Sequence, residues 1–489
     1  MRVSSREVLT CCFTTLVASI LAESMFVCGA EAAPARPNVL FCIADDWGWP
    51  HAGAYGDPVV RTPAFDRLAR EGVLFDNAFV TAPSCTPCRN SILTGQWHWR
   101  LEEGANLWST LHPKFPVYPL LLEDAGYFVG HWRKAWGPGD WRALGRQRDP
   151  AGPTFKSFAD FLKVRPQDKP FCFWLGTSDP HRPYVWQSGA KSGIDVDRIR
   201  LPADLPDHEI VRHDVADYYY EVQRFDRDVA AALKILEESG ELDDTIVVMT
   251  GDHGMPFPRH KCQLYDSGTH VPLAVRWGAE VEGGRRVTDF VSLADLAPTF
   301  LEAAGVAVPE QMTGRSLLDV LRSSRSGRVD PSRDHVLTGR ERHGQSQEKP
   351  NPGGYPMRAL RTDRFLYIRN FAPDRWPGGC PDADKAFGGR AYGDCDGSPT
   401  KDLVIEHRED PKYGRFYQLA FRKRPAEELY DLQQDPDQLS NVADQPEYRE
   451  VKARLAKRLV DELEATGDPR VLGGGEAFDA PPYRRRVRR

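Results

Sequence analysis

The sequence lacks a strong net charge, an internal repeat and a long low-complexity tract. Its 64 lysines and arginines against 70 acidic residues leave a formal net charge of −6, which argues against general nucleic-acid binding. It also lacks a second Cys/His pair at zinc spacing after Cys85-Thr86-Pro87-Cys88, which disfavours a zinc knuckle. A hydrophobic fraction of 41% over 489 residues instead indicates a globular protein large enough for two domains.

The amino terminus lacks an apolar run long enough to cross a membrane. The largely apolar stretch from Val8 to Ala22 is shorter than the roughly 20 residues that a spanning helix needs. Arg2 and Arg6 precede it and Ala30-Glu31-Ala32 follows as a small-x-small cleavage site, which is the pattern of a signal peptide over residues 1–32. Lipid anchoring at Cys28 is a minor alternative. We therefore expect export to a periplasmic, extracellular or lysosomal compartment, with no membrane span after cleavage.

Cysteine is scarce in the rest of the chain. Cys380 and Cys395 flank a Gly/Asp-rich loop, and we predict that they form a disulfide in an oxidising compartment. Cys42 and Cys172 lie in apolar, strand-like runs and are predicted to be core thiols.

What the sequence does contain is centred on the stretch from Ser84 to Gly95. Pro87 suits the first turn of a helix, where its missing N–H is not needed, and Arg89 then lies on the same helical face as Cys85. A helix N-terminus favours negative charge, and a guanidinium reinforces that preference. Position 85 therefore suits an oxyanion or a metal-bound alkoxide, with a plain buried cysteine on an amphipathic helix as the alternative.

Carboxylates follow two strand-like apolar runs. Asp45 and Asp46 come just after the run 38–43, and Asp252 and His253 come just after the run 245–250. In an open α/β sheet, ligands bind at the carboxyl ends of the strands. A buried group of three carboxylates requires a compensating cation, so these residues predict a metal site. A solvated turn is the commoner fate of an isolated Asp-Asp pair.

The stretch Cys85-Thr86-Pro87-Cys88-Arg89, followed by Leu93-Thr94-Gly95, resembles the signature of the formylglycine-dependent type I sulfatases. In that family the first cysteine of C-x-P-x-R is oxidised to formylglycine, the catalytic group. The resemblance therefore implies that Cys85 is converted by a formylglycine-generating or equivalent maturation enzyme. Cys88 stands where most members carry serine, which leaves the C-x-P-x-R core intact.

The resemblance also implies roles for the other motifs. It assigns one divalent cation, which we expect to be Ca²⁺, to Asp45, Asp46, Asp252, His253 and an oxygen on residue 85. Nitrogen from His253 suits a softer metal better than Ca²⁺, so the identity of the metal is less secure than its presence. Lys134 and Lys261 are expected to contact the sulfate. Arg89 is expected to lower the pKa of a hydroxyl on residue 85, and His181, in a pattern that resembles the family's second active-site histidine, is expected to protonate the leaving group.

One position departs from the family pattern. Most sulfatases have G-K-x-H-x-G after the strand that ends near Lys134, and Trp136 stands here in place of that histidine. One sulfate contact is therefore missing, or Trp136 packs against a sugar ring instead.

The order of several shorter motifs is similar to the heparan N-sulfatase (sulfamidase) branch, which removes sulfate from glucosamine units of heparan-type chains. These motifs include Lys134–Gly139, Asp179–Pro183 and Gly254–Arg259. The resemblance implies a sulfated carbohydrate substrate, with N- versus O-sulfate selectivity and exo or endo action left open. Arg340, Arg342 and His343 are expected either to hold a uronate or sulfate or to lie in a solvated loop.

The fold class implied is α/β: an alkaline-phosphatase-like, mostly parallel sheet between helices, with a smaller α+β carboxy-terminal domain. Polar composition around 323–334 places the boundary between a catalytic domain at 36–330 and a subdomain at 331–470. Residues 359–369 form a hairpin signal around Thr362-Asp363. The basic tail, 471–489, ends in the run 484–489, which either binds acidic partners or is solvated.

Two other functions remain open from the sequence. One is a phosphodiester or phosphonate monoester hydrolase of the alkaline phosphatase superfamily, although such an enzyme normally has a fuller two-metal ligand set. The other is an inactive carbohydrate-binding homologue in which Cys85 is never oxidised. Oligomeric state cannot be inferred from the sequence.

Overall fold

The computed structural model describes residues 36–484, which contain two β-sheets. The larger sheet has the strand order β4-β3-β5-β1-β6-β7-β2-β8. Its strands are β1 (Asn38–Ala44), β2 (Val73–Phe79), β3 (Phe128–Trp132), β4 (Thr154–Phe155), β5 (Phe171–Gly176), β6 (Thr245–Gly251), β7 (Leu273–Arg276) and β8 (Arg285–Ser292). Within it, β7 runs antiparallel to β6 and β2, and the other pairs are parallel. The predicted mostly parallel sheet is confirmed.

The smaller sheet is antiparallel, with the order β12-β11-β10-β9. Its strands are β9 (His335–Arg340), β10 (Met357–Thr362), β11 (Phe365–Asn370) and β12 (Glu427–Asp431). Strands β10 and β11 form the hairpin predicted around Thr362-Asp363. The sheet begins just after the polar segment 323–334, and the division into domains at that segment remains a prediction.

Helices cover both faces of the larger sheet. The helices of the described residues are α1 (Pro63–Glu71), α2 (Cys85–Thr94), α3 (Tyr118–Asp124), α4 (Phe158–Val164), α5 (Ser188–Lys191), α6 (Glu209–Ser239), α7 (Asp266–Thr269), α8 (Leu296–Ala303), α9 (Leu318–Arg322), α10 (Pro399–Glu406), α11 (Gly414–Phe421), α12 (Arg449–Ala465) and α13 (Pro469–Leu472). Helix α12 packs on the smaller sheet instead. Alternate residues of β1 enter two separate cores: Phe41 packs on the side of α3 and α8, and Leu40 on the side of α1 and α6. Burial on both faces explains the unbroken apolar run of β1.

Apolar residues recur at helical spacing from Tyr218 to Glu238, but helix α6 begins nine residues earlier, at Glu209. His208 caps its first turn, since its ring accepts a hydrogen bond from the Ile210 N–H. The extra turns bury Val211 and Val215, but the buried acids Asp214 and Asp217 interrupt the apolar pattern there. That interruption is why the periodicity of the sequence marks only the second part of the helix.

The predicted Cys380–Cys395 disulfide is wrong. All seven cysteines in the described residues are free thiols. The Cys380 thiol donates to the Asp382 carbonyl at 3.3 Å, and the Cys395 thiol faces the Asp396 carbonyl at 3.7 Å. The loop is closed by main-chain hydrogen bonding instead, from Tyr392 N–H to the Cys380 carbonyl at 2.8 Å. Cys42 and Cys172 are fully buried, as predicted for core thiols.

Two of the predictions concern the ends of the chain. The predicted signal peptide at residues 1–32 lies outside the described residues. Within the described part, no helix is long and apolar enough to cross a membrane. Arg484, the first residue of the basic run, is not simply solvated, because its guanidinium pairs with Glu103 at 2.9 and 3.0 Å.

Candidate active site

The site is built around the first residue of α2. Cys85 begins the helix after Ser84, whose backbone is extended, and all ten residues of α2 are buried. Pro87 lies in the first turn, where no N–H is needed. The Cys85 thiol lies 3.4 Å from Nε2 of His253. Burial raises the pKa of this thiol, with Asp45 and Asp252 adding to the shift against the opposing effect of Lys134 and Lys261.

The acidic residues meet because their strands are neighbours. Strands β1 and β6 pair in parallel with Ala44 opposite Gly251, so the residues that follow each strand leave the sheet at the same edge. The Asp46 N–H donates to Oδ1 of Asp252 at 2.9 Å, and Asp46 adopts a left-handed φ of 77°. A non-glycine residue in that region is uncommon and is held by its surroundings.

These side chains form a group suited to a cation. Ligand atoms of Asp45, Cys85 and Asp252 lie within 4.8 Å of one another, and so do those of Asp46, Cys85 and His253. Asp46 Oδ1 is buried without a hydrogen-bond partner in the described residues and lies 3.2 Å from Nε2 of His253. Three buried carboxylates with an unsatisfied oxygen fit the donor set of a divalent metal ion.

Arg89 connects this group to the next segment. Its Nε donates to Oδ2 of Asp252 at 2.8 Å, and its Nη1 donates to the Lys134 carbonyl at 2.7 Å. Burial alone would raise the pKa of Asp252, but His253, Arg89 and Lys134 hold it well below its usual range. Arg89 therefore keeps Asp252 ionised and also fixes the backbone that carries Lys134.

Both predicted lysines reach the carboxylates. Nζ of Lys134 lies 2.5 Å from both oxygens of Asp45, although β3 ends two residues earlier, at Trp132. Nζ of Lys261 donates to Oδ2 of Asp46 and to Oδ2 of Asp396, each at 2.9 Å. Burial opposes the charge on each lysine, yet the neighbouring acids raise the pKa of both, so both ammonium groups stay protonated at neutral pH.

A cavity of about 450 Å³ opens above Cys85. Its lining includes Lys134, His181, Lys261 and His343. A second cavity of about 580 Å³ shares Lys134 and His181 with it and adds Asp45 and Trp136. The Nδ1–H of His181 donates to the Arg182 carbonyl at 2.6 Å, which leaves Nε2 as the other exchangeable position of the ring. Trp136 donates through Nε1 to Asn90 of α2 at 2.7 Å.

The structure separates Arg340, Arg342 and His343, which were expected to share one role. His343 lines the cavity, and its Nδ1 lies 2.8 Å from Oγ of Ser84. Arg340 and Arg342 line neither cavity and are only 1% exposed, which corrects the expectation that they hold substrate or lie in solvent. Arg340 pairs with Asp394 and donates to two backbone carbonyls, and Arg342 donates to backbone carbonyls of two segments.

Sequence reasoning missed Asp396. Its carboxylate lines the first cavity, pairs with Lys261 and is 27% exposed. Burial opposes ionisation, but Lys261, His181 and His343 hold its pKa well below the usual range. The local sequence gives no signal for this role, because a Gly/Asp-rich loop is equally typical of a solvated turn.

Comparisons with known proteins point to one family. A family model described as Sulfatase matches residues 37–306. An ulvan-active sulfatase from Formosa agariphila is 28% identical, covering 90% of this chain and 82% of its own length. N-sulphoglucosamine sulphohydrolase from Homo sapiens is 29% identical, covering 89% of this chain and 91% of its own length.

Solved structures share the fold at lower identity. A protein in complex with its substrate D-glucosamine-2-N,6-O-disulfate superposes with a TM-score of 0.63 at 20% identity, covering 88% of this chain and 98% of its own. The phosphonate monoester hydrolase of Agrobacterium radiobacter gives a TM-score of 0.65 at 17% identity, covering 89% of this chain and 97% of its own. These matches confirm the fold class, and the family model, which spans more than half of the sequence, shows that this chain belongs to the sulfatase family.

Proposed function

We propose that this sulfatase hydrolyses sulfate esters or sulfamates of a sulfated, glycosaminoglycan-like carbohydrate, using a formylglycine made from Cys85. The observation that carries the proposal is the position of Cys85 at the base of an open cavity. Two ammonium groups and three buried carboxylates surround it. The substrate class is supported by the printed names of the relatives, which act on ulvan and on N-sulphoglucosamine.

The unmodified thiol is a poor candidate for the chemistry. Burial raises the pKa of Cys85, so the thiol is neutral at pH 7 and weakly nucleophilic. Sulfur is also a poor ligand for a hard cation. Formylglycine supplies a hydrated aldehyde whose hydroxyl can act as an oxygen nucleophile at the same position. This argument supports modification of Cys85 by a formylglycine-generating or equivalent enzyme.

Asp45, Asp46, Asp252 and His253 would hold one divalent cation, for which we propose Ca²⁺. The ion, when bound, supplies positive charge that neutralises these carboxylates and lowers the pKa of a hydroxyl on residue 85. The chain itself adds positive charge through Arg89, which is fully buried beside Asp252.

Lys134 and Lys261 bind and neutralise the sulfate oxygens. Both ammonium groups are held by carboxylates at the base of the cavity, so their charge is already oriented where negative charge develops on sulfate. The Nδ1–H of His181 is committed to the Arg182 carbonyl, so Nε2 is the position from which the imidazolium form of the ring would donate a proton to the leaving group. The leaving atom can then be a sugar oxygen or the nitrogen of a sulfamate.

Oxidation of Cys85 is the first test. Mass spectrometry of the peptide that contains Cys85 should show loss of the thiol in favour of an aldehyde. Cys85→Ala should abolish hydrolysis of an aryl sulfate while leaving the unfolding temperature nearly unchanged. Cys88→Ser, one turn further along α2, is the matched control and should retain turnover. Activity of Cys85→Ala close to that of the parent enzyme would refute the proposal.

The choice between reactions and substrates needs a second comparison. The enzyme should hydrolyse an aryl sulfate faster than an aryl phosphonate monoester or a phosphodiester. A panel of defined heparin-derived oligosaccharides, read by sulfate release, should then separate N-sulfate from O-sulfate cleavage. Faster phosphonate hydrolysis would favour the other activity found with this fold.

A further inference from the structure

The end of the described chain is fastened to the rim of the active-site cavity. Residues 481–484 lie against residues 103–108, of which Leu107 and Trp108 line the cavity. The Arg484 N–H donates to the Trp108 carbonyl at 2.6 Å, and the Arg484 guanidinium binds Glu103. Main-chain and side-chain contacts therefore hold the two segments in one register.

Arg342 forms hydrogen bonds to both segments. It is 1% exposed, and its guanidinium donates to the carbonyls of Pro481 at 2.6 Å, Pro482 at 3.0 Å and Leu107 at 2.9 Å. Burying a guanidinium on carbonyl partners is costly unless its hydrogen bonds are well made. The buried guanidinium of Arg342 therefore links Leu107 to Pro481, two residues that are far apart in sequence.

The consequence is an aromatic pair at the cavity. Tyr483 is brought beside Trp108, with ring centroids 6.1 Å apart and planes tilted by 37°. Both residues line the cavity that contains Cys85, and Trp108 also lines the adjoining one. Trp108 adopts a left-handed φ of 54°, an uncommon conformation for a bulky side chain, and its carbonyl is held by Arg484.

The base and the rim of this cavity therefore suit different parts of a ligand. Its base carries the cations Lys134 and Lys261, which suit sulfate, and its rim carries two aromatic rings, which do not. A sulfated pyranose has both properties, because its sulfate is anionic and one face of the ring presents C–H groups. Free sulfate would use only the base.

We propose that Trp108 and Tyr483 form a stacking subsite for a pyranose ring of the substrate, and that residues 481–484 are part of the substrate site. This inference rests on the proposed function, because it takes a sulfated carbohydrate as the ligand. It makes Tyr483 a residue that determines substrate affinity, and Arg342 a positioning residue that acts through it.

The test compares Tyr483→Ala with Tyr483→Phe, and uses Leu472→Ala as the matched control. Leu472 lies in the same part of the chain, is 59% exposed and lines neither cavity. KM and kcat are measured for a sulfated tetrasaccharide, and binding of the same tetrasaccharide is measured by calorimetry in the Cys85→Ala background. A chain ending at Ala480 serves as a second variant. Unfolding temperatures are recorded for all.

Tyr483→Ala should raise KM and the dissociation constant about threefold to tenfold, as expected for one aromatic contact. Its kcat should stay near that of the parent, and Tyr483→Phe should restore affinity because the ring is kept. Unchanged KM and dissociation constant in both Tyr483→Ala and the shortened chain would overturn the subsite. The binding arm keeps the two proposals separate, because it reports on the subsite even if the parent enzyme releases no sulfate.

Discussion

The base and the rim of the cavity are built in different ways. The base consists of Asp45, Asp46, Cys85, Arg89, Asp252 and His253 with the two lysines, and most of it follows strands or begins α2. Four other lining residues, Trp108, His343, Asp396 and Tyr483, are called the rim and come from loops far apart in sequence. Neighbouring parallel strands bring their carboxyl ends together by topology, whereas the loops meet only through tertiary contacts. The comparison predicts that base variants change kcat and rim variants change affinity.

The largest effect is expected at the base. Lys134→Ala should lower kcat for an aryl sulfate by about 100-fold to 1000-fold, because it removes a fixed positive charge beside the developing charge on sulfate. The matched control is Lys163→Ala, whose side chain is 73% exposed, and it should leave kcat unchanged. Steady-state kinetics would contradict the assignment if Lys134→Ala changed only KM.

Removal of divalent metal should produce the next largest effect. A chelator removes the cation that the three buried carboxylates would hold. It should therefore abolish turnover and lower the free energy of unfolding by about 3 kcal/mol relative to protein with metal at 100 times its dissociation constant. Ca²⁺ should restore both quantities in the parent protein and neither in Asp46→Asn. Thermal unfolding that does not respond to chelator or Ca²⁺ would count against a metal at this site.

A smaller effect, on the pH dependence of stability, is expected from His270, which packs on the segment that follows Asp46. His270 is stacked between Trp49 and Phe79, and its carbonyl accepts from the Trp49 N–H at 3.1 Å. Burial lowers the pKa of His270 to about 4, so the unfolded chain takes up more protons between pH 6.5 and 4 than the folded chain. The free energy of unfolding should therefore fall on acidification through this window, by about 2–3 kcal/mol from this residue.

Denaturant unfolding between pH 7 and 4 measures that contribution. His270→Gln should be less stable at pH 7 and should show a shallower loss of stability with falling pH. His112→Gln, on a surface loop, is the control and should keep the slope of the parent. If the slope of the free energy of unfolding against pH is unchanged in His270→Gln, groups other than His270 cause the pH dependence.

The smallest effect is expected at the rim. Asp396 places a carboxylate on Lys261, so Asp396→Asn should make the cavity more positive. Inhibition by inorganic sulfate should then become about fivefold stronger, the effect of roughly 1 kcal/mol at a partly exposed charge. Asp382→Asn, in the same loop with a side chain 46% exposed, should leave inhibition unchanged. Weaker inhibition in Asp396→Asn would show that Asp396 acts mainly by orienting Lys261.

The predicted disulfide and the predicted roles of Arg340 and Arg342 were wrong for the same physical reason. Cys380 and Cys395 are close in sequence and flank a loop, yet their thiols turn to separate carbonyls. Arg340 and Arg342 were expected to hold substrate or to lie in a solvated loop, but both are buried against backbone carbonyls. In each case the outcome depended on partners supplied by distant segments, and local sequence carries no information about those partners.

The sequence by itself determined strands β1 and β6, the hairpin of β10 and β11, the helix that begins at Cys85 and the carboxylates at the ends of β1 and β6. It could do so because burial, periodicity and helix starts depend on neighbouring residues, and because parallel strands end at one edge. Only the tertiary structure decided that Asp396 pairs with Lys261 and that Tyr483 lies beside Trp108. The physical reason is that those contacts are made by irregular loops, whose positions follow from buried hydrogen bonds such as those of Arg342 with Leu107 and Pro481.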